Sequence, residues 1–206
     1  MSTTFEVYTP TMDISSFRDV LELSNRRLKE FLLNIGIEKE MQIIMDIRKC
    51  TTNQLKNFNY SDKARWAVDE YSWFMVSDQQ GGCDAYCCLV EQDNYDHWNY
   101  EFKYNNRAAN MKNKIRDCLQ TGLYWYFRRS AGQPSIINLS YGLIASAFAE
   151  LTNGIIFTDD NAWDYNMFPT EAGIFLSKYF NPDYPSVEHS SWARECINSL
   201  VKNFKY

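Results

Sequence analysis

This chain of 206 residues predicts an α+β fold: one domain over residues 1–206, with a small, mostly antiparallel sheet packed against several helices. Three observations predict it. Short segments that alternate apolar and polar residues are interleaved with longer stretches of helical periodicity. No repeat of solenoid period and no long linker divides the chain. The composition is globular, with 45% hydrophobic and 23% charged residues, and a chain of this size buries roughly 70% of its unfolded surface without metal or disulfide staples.

The elements follow in order. Phe5 to Tyr8 alternates and reads as a short strand, closed by Pro10. Asp13 or Ser15 can cap a helix, because a short side-chain oxygen accepts from unpaired first-turn amides. Phe17, Val20, Leu21, Leu28, Phe31 and Leu32 then fall largely on one face of that helix, with Arg18, Arg26, Arg27 and Glu30 off it, until Asn34-Ile35-Gly36 ends it. Gln42 to Arg48 is a strand and residues 50 to 62 are irregular; Ala64 to Met75 suits helix or strand. Gln79-Gln80-Gly81-Gly82 is a turn. Two strands are expected next, Cys83 to Glu91 and Trp98 to Tyr104, paired as a hairpin across the loop Gln92 to His97.

Ala108 to Arg129 reads as a second long helix, with Met111, Ile115, Cys118, Leu119 and Leu123 inward. Ser140 to Leu151 is apolar almost all round, which marks a buried helix. Within it Gly142, Ala145, Ser146 and Ala149 form a smooth face that allows close approach of another element. Asn153-Gly154 supplies a left-handed cap, and Ile155 to Thr158 is a short inner strand. Thr170 with Glu171 opens another helix, which Pro182 ends, and Ser186 to Phe204 forms the last.

Charge and motifs bound the function. The net charge is −5, with nine acids against two bases over residues 62–101 and eight against two over residues 150–195. Between them, residues 102–149 hold one acid and seven bases. Overall acidity argues against nucleic acid, which requires clustered Lys and Arg, and suits a cationic protein partner. Lys112, Lys114, Arg116, Arg128 and Arg129 read as a solvated helix face rather than a phosphate site. No basic and apolar leader pattern and no spanning segment is evident, so a cytoplasmic location away from the membrane is expected. The six cysteines lack paired metal-binding spacing and read as reduced thiols, Cys83 and Cys87 sharing a strand face with Cys88 on the other. The two histidines, His97 and His189, read as solvated or capping groups. No nucleophile elbow, phosphate loop, zinc helix or dinucleotide fingerprint occurs, so no catalytic residue, cofactor or metal is assigned.

One stretch concentrates chemistry. In LTNGIIFTDDNAWDYNMFPTE, residues 151–171, an apolar run opens into Asp159, Asp160 and Asp164, with Trp163 and Tyr165 among them. Asx turns at a strand end account for such acids. Three carboxylates can also hold a hard cation, although the order of an EF-hand is absent. A third reading is a recognition loop, in which aromatic rings supply desolvated area and carboxylates meet a basic rim. EQDNYDHWNYE, residues 91–101, echoes it with Asp93, Asp96, Tyr95 and Trp98.

Residues 144–168, IASAFAELTNGIIFTDDNAWDYNMF, resemble a pattern in small bacterial proteins: a helix ending A-E-x-T-x-G, a short apolar strand, an acidic turn and a Trp. Some of these proteins are similar to immunity proteins of polymorphic or contact-delivered toxin systems. The resemblance covers about an eighth of the chain and implies a cytoplasmic antidote that binds a cognate, cationic protein toxin. Asp159, Asp160, Trp163, Asp164, Asp93 and Asp96 are then the expected contacts. The competing expectation is a metal-dependent hydrolase built on Asp159, Asp160 and Asp164.

Overall fold

The computed structural model describes residues 3–160, 164–184 and 187–205. Along the chain run β1 (Thr3–Tyr8), α1 (Phe17–Asn34), β2 (Ile43–Lys49), β3 (Leu55–Lys56), β4 (Glu70–Val76) and β5 (Cys83–Leu89). Then come α2 (Gln92–Tyr104), α3 (Asn106–Asn110), α4 (Lys112–Gln120), β6 (Leu123–Arg129), α5 (Ser135–Leu151), β7 (Ile155–Phe157), α6 (Ala172–Lys178) and α7 (Val187–Phe204). The strands form one sheet in the order β3-β2-β4-β5-β6-β1-β7, and every neighbouring pair is antiparallel. The fold is α+β, as the order of elements predicts. Among the described residues no helix is long and apolar enough to cross a membrane.

Strand alternation sends successive side chains to opposite faces of the sheet. The inner face carries Phe5, Val7, Met45, Ile47, Phe74, Ala85, Cys87, Trp125 and Phe127, all buried. α5 lies on it: Tyr141 stacks on Phe5 with centroids 4.7 Å apart, and Phe148 meets Phe74, Trp125 and Phe127. α1, α6 and α7 pack around α5, so Ile136 through Ala149 are buried on every side. The smooth face is used as expected. The ring of Tyr179 sits so close to Gly142 that a Cβ there would fall 2.2 Å from it. Ser146 accepts from Arg27 of α1 at 2.9 Å, and Arg27 also pairs with Glu150.

Local signals explain the boundaries. Ser16, rather than Asp13 or Ser15, caps α1, its hydroxyl accepting from Asp19 N while the Asp19 carboxylate takes the Ser16 amide; this reciprocal box satisfies two orphan donors. Residue Asn153, at φ 51°, takes the left-handed position after α5. The ambiguous segment before Met75 resolves to strand β4, joined to β5 through the expected turn.

Two expectations are corrected. Trp98 to Tyr104 is not a strand but the second half of α2, so the proposed hairpin is absent. WNYEFKY alternates aromatic and polar residues, yet the stripe that is used is helical: Asn94, Trp98, Glu101 and Phe102 turn inward, and Trp98 packs on Phe157 and Tyr8 with centroids 4.7 and 5.5 Å away. Asn94 Oδ1 accepts from Glu91 N at 2.8 Å and fixes the start. Ala108 to Arg129 is likewise not one long helix. α4 stops at Gln120, Gly122 adopts φ 74°, a left-handed turn that favours glycine, and LYWYFRR then runs as strand β6 between β5 and β1. Its aromatic, alternating character suits a pleated surface more than a helix.

Substitution of Gly142 tests the α5 packing. Gly142→Val should lower unfolding stability by about 2 kcal/mol or more through overpacking against Tyr179, read from urea midpoints. An unchanged midpoint would show that this contact does not limit the core.

Candidate functional site

The face of the sheet opposite α5 is covered only in part. α2 lies over β1 and β7 through Trp98, and Tyr95 of α2 donates to Leu119 O of α4 at 3.2 Å. Across β6, β5 and β4 the same face presents Tyr124, Tyr126, Tyr86, Tyr71, Trp73 and Met75, all half-buried, and on β2 Ile44 is 41% exposed.

Strand register orders these side chains into rows. Glu6 opposes Tyr126, Tyr126 opposes Tyr86, Tyr86 opposes Tyr71, and Tyr71 opposes Arg48. Tyr71 and Tyr86 stack at 5.8 Å, and Tyr86 and Tyr126 meet at 6.4 Å. A second row runs Thr4, Arg128, Asp84, Trp73 and Asp46. A third begins with Tyr8 stacked on Tyr124 at 4.9 Å, followed by Cys88. Cross-strand aromatic pairs of this kind stabilise a sheet and leave their outer rims for contact.

Most charges on this face are matched internally. Arg128 donates to Asp84 Oδ2 from Nε at 2.9 Å and from Nη2 at 2.5 Å, and Tyr86 donates its hydroxyl to the same oxygen at 2.8 Å. Arg48 pairs with Asp46 at 3.1 Å. Glu6 and Asp159 have no ion-pair partner among the described residues. Burial pushes the Glu6 carboxyl up to about 7; the Tyr8 hydroxyl bond, 2.7 Å, opposes this and the nearby Asp159 charge adds to it. Burial likewise raises the Cys88 thiol to about 11.

The acidic loop of the sequence adjoins this face, but its members differ. Asp160 accepts from Thr4 N at 2.6 Å and Thr4 Oγ1 at 3.3 Å, tying the end of β7 to β1. Asp164 accepts from Asn166 N at 3.0 Å and from the Tyr184 hydroxyl at 2.9 Å, an Asx turn with a tether. Asp159 is exposed, beside Glu6. Trp163 lies outside the described residues. Asp93 and Asp96 are exposed on α2, not in a hairpin loop, and Gln92 bonds Asp96 at 3.0 Å. The two acidic stretches do meet: His97 and Trp98 pack on Phe157, two residues before Asp159.

Among the described residues no group of three or more His, Cys, Asp or Glu side chains is placed to hold a metal ion. The histidines are packed rather than solvated. His97 is half-buried against Phe157; His189 is buried, its Nε2 3.2 Å from Lys178 O, and burial lowers its pKa. Nor is the basic cluster one helix face. Lys114 pairs with Glu171 at 2.6 Å, whereas Arg128 and Arg129 leave β6 on opposite faces. Cys83 and Cys87 are buried on the inner face and Cys88 lies on the other, as the sequence suggests.

Sequence reasoning missed the aromatic rows, because they require the register of four separate strands. A signal was present: EYSWFMV carries Tyr71 and Trp73 two residues apart, and LYWYFRR likewise carries Tyr124 and Tyr126.

Glu6 gives a pH prediction. Its folded pKa is raised, so the folded state holds the proton more tightly and stability falls as pH climbs from about 4.5 through about 7. Glu6→Gln should flatten this slope and gain roughly 2 kcal/mol at pH 8, measured by denaturation at a series of pH values. Equal pH slopes in the wild type and Glu6→Gln over that window would refute the assignment.

No family model matches the chain, and neither the curated proteins nor the solved structures contain a match to it.

Proposed function

We propose that this chain is a protein-binding antidote of the immunity type, which docks a cationic toxin domain against the open aromatic face and its acidic rim in the cytoplasm. The observation that carries the reading is the half-buried row Tyr126, Tyr86 and Tyr71, with Trp73 beside it, on a sheet face that α2 covers only at one end. Tyr and Trp give large, rigid contact area at low entropy cost and dominate binding hot spots. With Asp84 and Asp46 matched by arginines, the charge left over is Asp159, with Glu6 beside it partly protonated near pH 7, joined at the covered end by exposed Asp93 and Asp96. That pattern favours a basic partner. The resemblance of residues 144–168 to immunity proteins points the same way.

The hydrolase reading has less support, since Asp160 and Asp164 direct their carboxylates to Thr4, Asn166 and Tyr184. Within the acidic loop, Asp159 and Trp163 remain the proposed contacts, and Asp160 and Asp164 shape the loop.

The test is co-expression with the toxin encoded beside this gene. The wild-type chain should restore growth. Tyr86→Ala, Trp73→Ala and Asp159→Lys should each weaken binding by about 2 kcal/mol, measured by calorimetry, with unfolding midpoints that keep the variants folded at the assay temperature. Wild-type affinity in all three would remove this face from the interface. Calorimetry with Mg²⁺, Mn²⁺ and Ca²⁺ separates the alternative: binding abolished by Asp160→Ala would favour the hydrolase.

A further inference from the structure

The polar groups buried beneath α5 need a separate account, which is independent of the docking face. Arg129 ends β6 on the inner side of the sheet and is 8% exposed. No carboxylate pairs with it among the described residues. Its Nη1 donates to Ser130 O at 3.3 Å, its guanidinium stands 5.9 Å from the centre of the Tyr141 ring, and its Nε has no partner. A buried, unpaired guanidinium is costly.

Its neighbours are polar and also unsatisfied. Thr3 is the cross-strand partner of Arg129 on β1, and the β5–β6 register brings Cys83 alongside from the other flank. Above them, one turn apart near the start of α5, stand Asn138 and Tyr141. Asn138 Oδ1 is buried without a hydrogen-bond partner, and the buried hydroxyls of Thr3 and Tyr141 have only each other; the three residues are 8%, 6% and 0% exposed. Asn138 Nδ2 reaches only the Cys196 sulfur, at 3.7 Å.

We infer that Arg129, Thr3 and Tyr141, with the amide of Asn138, form an internal binding site for a small monovalent anion of halide type. The chemistry of the donors selects the ligand. Arg129 Nε–H has a proton to give, the Thr3–Tyr141 hydroxyl pair has one left over from its own hydrogen bond, and turning the Asn138 amide would supply another. The amino-terminal end of α5 adds positive potential. One guanidinium charge balances one negative charge; a dianion would leave excess charge in a core where Phe5 stacks on Tyr141. Asp160, whose field reaches Tyr141, is held by Thr4. A bound anion would accept in one step from donors that are otherwise left unused in the core.

Crystals of the whole chain grown in sodium bromide test this directly. The expected result is an anomalous peak within hydrogen-bonding distance of Arg129 Nε and the Tyr141 hydroxyl. In solution, bromide should raise the thermal midpoint by several degrees over gluconate at equal ionic strength, in a saturating manner. Arg129→Met should abolish the difference. In case that variant does not fold, Tyr141→Phe and Thr3→Val, which keep shape, should each weaken the bromide dependence at least several-fold. Water density alone at the site, bromide found only on the surface as an adventitious ion, or equal midpoints in the two salts would overturn the proposal. So would unchanged bromide dependence in folded Arg129→Met or in both isosteric variants.

Discussion

The burial of α5 on every side is the constraint from which the rest of the molecule follows. A helix apolar all round must find partners in all directions, and here the sheet supplies one and α1, α6 and α7 the others. That arrangement consumes the inner face of the sheet entirely. Gly142 makes it possible at one point by admitting the Tyr179 ring, and the Tyr179 hydroxyl closes the contact by donating to Asn138 O. With the large apolar mass collected on one side, the opposite face is free to carry side chains that are both aromatic and polar.

Two glutamates show how differently the sheet treats the same group. For Glu70, 1% exposed, burial alone would raise the carboxyl pKa. Hydrogen bonds from Lys56, Lys49 and the Ala67 amide outweigh that and hold it at about 2. Glu6 has a tyrosine hydroxyl but no cation among the described residues, and burial prevails. The first is a finished structural joint near the β3 edge. The second stands at the head of a row of rings, where burial keeps it partly protonated.

The sequence revealed some of this and concealed the rest for identifiable reasons. The helix around Gly142 and Ala149 was legible because no other placement hides so many apolar residues in succession. α1, β1, the connection through Gly81-Gly82 and the helix ending at Phe204 were equally plain from periodicity, although the cap of α1 is Ser16 rather than Asp13 or Ser15. The segment WNYEFKY deceived because an aromatic–polar alternation satisfies the strand rule locally, whereas the packing of Trp98 on Phe157 is a contact between distant parts of the chain. LYWYFRR reads as part of the preceding helix because its apolar residues continue the pattern of Ile115 and Leu119, although Gly122 interrupts it. For the site, the acids after Phe157 were visible as turn formers and contact candidates. That Glu6, Tyr126, Tyr86 and Tyr71 line up could be learned only from register.

The two ends of the sheet bear on how the molecule avoids its own kind. β3 contributes two residues and β7 three, and Thr170 bridges the outer side of β7 by exchanging hydrogen bonds with Ile156. Long, bare rims invite another chain to add itself as a further ribbon. Here β3 covers Ile47 and Arg48 of β2 and Thr170 closes β7, so the rim left to template such growth is short.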